Sequence, residues 1–165
     1  VKLALLEDEV DVNYSSWDGR TSVSFAVERG DVVMTQLLKA ENIEVYLNNR
    51  EITSPLGWAS RMGRVKLVNL LKEVDIARRD QHFRDYGNSL LCLVAKDGQE
   101  NIVELYLAAG VDPSARDSCY RIVLSLVSGS HSRTMKLLIA AGARVNHADA
   151  HGRTLLIYEV REGYR

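Results

Sequence analysis

The chain has 165 residues, 46% apolar and 26% charged, with 21 basic against 22 acidic side chains and a formal charge of −1. That length can bury a substantial core, while the near-neutral balance leaves no electrostatic footprint for nucleic acid or an anionic membrane. No apolar run reaches the ~18 residues that cross a bilayer, and two cysteines, Cys92 and Cys119, make no disulfide framework, which points to a reducing, intracellular setting, cytoplasmic or nuclear.

The chain opens on an apolar helical pattern that closes at Asp11-Val12-Asn13. Thr21 then stands before a short apolar run ending at Gly30, and a second run ends in Leu37-Leu38. Ser54-Pro55 starts the next run, Gly63 ends it, and Val65, Leu67, Val68, Leu70 and Leu71 recur at helical spacing as one wide apolar face. Ser89 and Gly98 bracket a third such run, and Leu137-Leu138 closes a later one. Thr21, Ser54 and Ser89 read as N-caps. Gly30, Gly63 and Gly98 read as left-handed helix ends. Only Pro55 and Pro113 interrupt the chain, so helices can run between short turns.

Gly30, Gly63, Gly98, Ser130 and Gly163 occupy one recurring slot, at spacings of 33, 35, 32 and 33. A helix pair repeated at that period cannot hide its own apolar face and must lean on its neighbours, which predicts a solenoid. The chain also reads as an excerpt from a longer polypeptide, since it begins without Met and stops just after a new helical pattern begins.

Several motifs at this period resemble those of the ankyrin repeat family. Asp18-Gly19-Arg20-Thr21 and His151-Gly152-Arg153-Thr154 resemble its opening Gly-x-Thr, and Ser54-Pro55-Leu56-Gly57-Trp58-Ala59 resembles Thr-Pro-Leu-His-x-Ala. Gly142-Ala143-Arg144-Val145-Asn146 resembles the closing Gly-Ala-Asp-Val-Asn. The resemblance implies an all-α ankyrin-type helical array with short β-hairpin or loop fingers, as one domain over 1–165. Its units are a partial repeat at 1–16, repeats at 17–49, 50–83, 84–116 and 117–148, and a partial repeat at 149–165. The family's His is missing throughout, its slots holding Ser24, Gly57, Cys92, Leu124 and Ile157. Weaker ties between repeats follow. The fifth unit, one residue short, departs furthest.

The resemblance further implies a protein-binding module that acts through fingers and concave face, with another protein as partner, a monomeric state, no cofactor and no catalysis. Carried over by position, the contact residues are Trp17, Arg20, Glu28, Arg29, Arg50, Arg61, Met62, Asn88, Lys96 and Asp97. To these the segment Arg78–Tyr86, read as a finger about four residues longer than the others, adds Arg79, Phe83, Arg84 and Tyr86. A solvated loop is the plainer account of that segment. Ser118, Tyr120 and His151 extend the row. Trp17 stands either bare at a finger tip or folded over a neighbouring unit, whereas Trp58 is expected in the core.

No chemistry-bearing motif competes with this. His147 and His151, with Asp149 between them, lie in one hairpin and would have to borrow a further metal ligand from elsewhere, Cys92 reads as a small buried hydrophobe, and Cys119 has no companion His at signature spacing. No phosphate-cradling loop or nucleophile elbow is present. The alternatives to a binding module are a structural spacer, or a regulatory or substrate-docking segment of a larger multidomain protein or enzyme.

Overall fold

The computed structural model describes residues 11, 13–17, 20–39, 54–76, 81–117, 119–127 and 131–162, with the side chains of 39, 73–76, 81–87, 159 and 162 left aside. Contacts divide the chain into two compact units, Val1–Arg79 and Asp80–Arg165. Among the described residues the regular structure is helical. The first unit holds α1 (Ser22–Arg29), α2 (Val32–Lys39), α3 (Pro55–Arg61) and α4 (Val65–Ile76). The second holds α5 (Gln81–Lys96), α6 (Glu100–Ala108), α7 (Val123–Leu126), α8 (Ser132–Ala140) and α9 (Leu155–Glu162).

Local chemistry explains the starts. Thr21 closes a capping box with Ser24: its hydroxyl accepts from the Ser24 N–H while the Ser24 hydroxyl accepts from the Thr21 N–H. Ser54 accepts from the Gly57 N–H at 3.0 Å, with Pro55 placed where the first helical N–H has no partner to lose. The stops are equally regular. After α1 the Gly30 N–H reaches Val27 O and the Asp31 N–H reaches Ala26 O, and the same pair of bonds recurs at Gly63 and at Gly98. These are Schellman turns, and they put all three glycines at φ between 67° and 74°.

Packing follows the period. In the first unit α1 pairs with α2 and α3 with α4, while α1 also packs on α3 and α2 on α4. The second unit repeats the scheme: α5 pairs with α6, and α5–α7, α6–α8 and α7–α9 pack across repeats. Inner helices therefore stack on inner helices and outer on outer. The paired leucines show the result, since Leu38, Leu71 and Leu138 are buried while Leu37, Leu70 and Leu137 are half-buried. Each fully buried leucine is worth roughly 1.5–3 kcal/mol relative to exposure.

Three sequence expectations change. Residues 81–86 are the opening turns of α5 and not a finger, so Phe83, Arg84, Tyr86 and Asn88 lie on a helix and Ser89 is interior to it. Nothing between Gln81 and Ser89 stops a helix: there is no proline, and Gly87 costs only about 1 kcal/mol there, against the burial of Leu90, Leu91, Val94 and Ala95 further along the same helix. Trp58 is half-buried where a core position was expected. In the fifth unit α7 is capped at Ile122, so the third helical position, the family's His slot, is Ser125 and not Leu124. The Ser125 hydroxyl donates to Ile122 O at 2.7 Å. Arg50 and Arg79 lie outside the described residues.

The turn before α7 contains a backbone exception. Tyr120 has φ +59°, while Gly152, its counterpart in the next turn, has φ +73°. A side chain in the left-handed region costs about 1 kcal/mol or more, and Tyr120 is 65% exposed, so its ring recovers little by burial. Tyr120→Gly is expected to raise stability by about 1 kcal/mol in a denaturant titration; an unchanged or lower midpoint would mean the phenol does more than point at solvent.

Candidate partner-binding surface

Each described turn is built before it displays anything. Asp149 is the centre of one: its Oδ1 accepts the backbone N–H groups of His151 and Arg153 at 2.8 and 2.9 Å, while its Oδ2 accepts Arg153 Nε at 2.9 Å and the Tyr158 hydroxyl at 2.6 Å. The backbone closes around it, Asp149 N–H to Arg153 O and Gly152 N–H to Asp149 O. Asp117, one repeat earlier, makes the same knot: Oδ1 accepts Cys119 and Arg121 N–H, Oδ2 accepts Arg121 Nε at 2.8 Å, and an antiparallel bridge joins Arg116 to Ile122. In the first unit Ser16 takes the corresponding place, its N–H and hydroxyl both reaching Arg20 O at 2.9 Å.

Electrostatics secures the last knot. Burial of the Asp149 carboxyl by itself favours the neutral form, but the Tyr158 hydroxyl, the two backbone N–H groups and Arg153 outweigh it and hold the group well below the usual carboxylate range. Tyr158 moves the other way, upward, because it is desolvated and donates to that carboxylate. Arg153 also lies over the Tyr158 ring, 5.1 Å from its centre.

Ties between neighbouring repeats exist although the family's His does not. Arg64 Nη2 donates to Glu28 O at the end of α1 at 3.1 Å, and its guanidinium covers Gly30. His131 covers Gly98 in the same way. Arg116 meets His147 Nε2 and donates to Ala148 O at 3.3 Å, and the Ser114 hydroxyl accepts the Arg144 N–H at 3.0 Å. On the outer helices Arg133 of α8 stands 3.4 Å from Glu100 of α6.

The residues expected to contact a partner differ in their surroundings. Trp17 is 99% exposed, which settles its alternatives in favour of a bare tip. Arg29, Arg61, Met62, Lys96 and Asp97 are exposed, and so are Tyr120 and His151 in the extended row. Arg20 and Glu28 instead pair with each other, half-buried, and Arg20 sits 4.1 Å over the Phe25 ring. Asn88 is half-buried on α5. Phe83, Arg84 and Tyr86 have backbone positions on α5 and no described side chain. Cys92 is buried, as expected, and Cys119 exposed.

Sequence reading missed the two aspartate knots, having weighed Asp149 only as a poor metal ligand. The signal was present, since Asp-x-x-x-Arg recurs at 117–121 and 149–153. Among the described residues no group of three His, Cys, Asp or Glu could hold a metal, and no helix is long and apolar enough to cross a membrane.

Paired helices stacked at the period of their turn glycines, and joined by knotted turns, define a helical-repeat protein. Residues 86–118 match the family model for the ankyrin repeat. The family match is confined to that stretch, and the described helices of each unit are arranged as in an ankyrin-type helical repeat, a class whose members generally serve as protein-interaction modules. The chain is similar to the transient receptor potential cation channel subfamily A member 1 of Drosophila melanogaster, 24% identical over 93% of this chain and 13% of that protein. The Homo sapiens protein of that name is 25% identical over 74% of this chain and 11% of its own length. Protein HOS4 of Saccharomyces cerevisiae is 33% identical over 60% of this chain and 10% of its own. The chain spans only about a tenth of the length of these relatives.

Proposed function

We propose that the array binds another protein through its turn tips and the adjoining ends of its inner helices. The observation that carries this reading is the contrast within the turns: their bases are closed by part-buried hydrogen bonds, Ser16 to Arg20 O in the first unit and Arg153 N–H to Asp149 in the second, while their tips hold exposed side chains, Trp17 above all. A tip fixed in advance has little conformational entropy to lose on contact, so its side chains can give their full burial energy to a partner. In the first unit the contact set is Trp17, Arg29, Arg61 and Met62; in the second it is Lys96, Asp97, Tyr120 and His151. Near-neutral charge suits a mixed polar and apolar protein surface better than a polyanion. Arg20 and Glu28 belong to the support of the first turn, and their removal is read as a stability effect.

The test is affinity capture with the intact chain, followed by titration of captured partners against variants. Trp17→Ala and Lys96→Ala are each expected to weaken binding about tenfold or more with the melting temperature unchanged. Wild-type affinity in both would place recognition elsewhere. A second reading, a spacer in a larger chain, is favoured by the recurring ties between repeats, Arg64 to Glu28 and Arg116 to Ala148. A foreign helical-repeat segment of equal length would then substitute without loss of function.

A further inference from the structure

Positive charge gathers at one end of the inner helices of the first unit. Matching Schellman turns at Gly30 and Gly63 close α1 and α3, and the two helices pack together, so Glu28 and Arg29 stand in the register of Arg61 and Met62. Arg20 reaches this end from its turn and pairs with Glu28. Arg64 enters from the next repeat, with its guanidinium over Gly30. Its Nη2 donates to a neutral acceptor, Glu28 O, and its Nε is buried with no hydrogen-bond partner among the described residues. Arg20, Arg29, Arg61 and Arg64 thus share this end with two described carboxylates, Glu28 and Asp31. Both are engaged, Glu28 by Arg20 and Asp31 by the Met34 N–H that it accepts at 2.9 Å. The second unit has Lys96 and Asp97 in the register of Glu28 and Arg29, and there the charges cancel. Apolar surface flanks the arginines. Trp17 is bare in the turn that Ser16 closes onto Arg20 O, Met62 is 42% exposed beside Arg61, and Phe25 is 44% exposed against the Arg20 guanidinium.

We propose, on the reading that the array binds a protein, that this face takes an acidic segment of its partner, one in which Asp or Glu alternates with apolar side chains. A guanidinium fork matches a carboxylate with two parallel bonds, each stronger than a neutral donor makes. A carboxylate arriving here offsets the mutual repulsion of the arginines, which Glu28 and Asp31 leave uncompensated. Its apolar neighbours cover Trp17 and Met62, side-chain types that interfaces favour. A basic segment would add to the repulsion, and a purely apolar one would bury guanidinium groups without acceptors.

The probe is a short fluorescent peptide alternating Glu with Leu, titrated against the intact chain by fluorescence anisotropy. It is expected to bind about tenfold or more tightly than the same peptide with Gln for Glu, and to lose that advantage as salt rises. Arg29→Glu is expected to weaken binding of the Glu peptide about tenfold at an unchanged melting temperature. Lys136→Glu, an equal change in net charge on an exposed position of α8, is expected to leave the affinity within about twofold. Equal affinities for the Glu and Gln peptides would overturn the proposal, and so would equal losses in the two variants. Binding that appears only when phosphoserine replaces Glu would overturn it too, by making phosphate the recognised group. Each of these failures is distinct from failure of the protein-binding reading, in which captured partners would be indifferent to Trp17→Ala and Lys96→Ala.

Discussion

Gly98→Ala is expected to cost about 2 kcal/mol of stability, and measurably less once His131 is also alanine. Two effects combine. The residue sits at φ +67°, where a side chain costs about 1–2 kcal/mol, and a Cβ there would lie 2.8 Å from Cγ of the His131 ring in the next repeat. The first effect belongs to the turn and persists in any background; the second disappears with the imidazole. A double-mutant cycle by denaturant titration separates them, and a coupling of about 0.5 kcal/mol or more is the expected sign of the inter-repeat contact. Equal costs in both backgrounds would show that His131 does not press on the turn. Gly30 offers the contrast. It too has a left-handed φ, but its neighbour is the flexible end of Arg64, which can swing aside. Its alanine variant should cost little beyond the turn itself and the Arg64 bond to Glu28 O.

Asp149→Ala is the second large effect, expected to lower the melting temperature of the array by roughly 5 °C or more. The carboxylate organises two backbone N–H groups, a guanidinium and a phenol, and cutting it leaves part-buried donors without their acceptor. Asp117→Ala should cost less, because its knot has no phenol and its carboxylate is more open to water. The pH dependence follows from the direction of the shift. The folded chain holds the Asp149 proton less tightly than the unfolded chain, whose carboxyl titrates near 3.8. Its contribution is therefore complete above that value and is lost as the pH falls below it toward the lower folded value. Tyr158, raised in the folded state, adds the opposite limb, with stability declining as the pH climbs past 10.0. Thermal melts from neutral pH downward should show a shallower acid loss in Asp149→Asn than in the natural sequence. Parallel curves would assign the acid sensitivity to other carboxylates.

Much of the repeat is written in short-range chemistry. Thr21 and Ser54 cap because a hydroxyl one residue before an apolar run has a backbone N–H within reach, whatever the rest of the chain does. Gly30, Gly63 and Gly98 end their helices because only glycine enters the left-handed region without strain. Those signals are local, and they were legible. The long finger was not, because nothing local distinguishes a loop that lacks proline from extra helical turns, and α5 extends back to Gln81. The candidate surface was legible as positions but not as roles: Trp17 and Arg20 stand in one turn, and only packing made the first bare and turned the second onto Glu28 and Phe25.

What the sequence determined alone was the unit: a helix pair with its caps, its turn glycine and the apolar stripe it cannot hide, recurring at a nearly constant period. Those features arise from bonds and angles among close neighbours along the chain. Tertiary structure decided how the units hold together. Arg64 over Gly30, His131 over Gly98 and Arg116 at Ala148 join residues about one repeat apart. Such contacts depend on where a long side chain ends after its neighbours have stacked, a question no spacing rule answers.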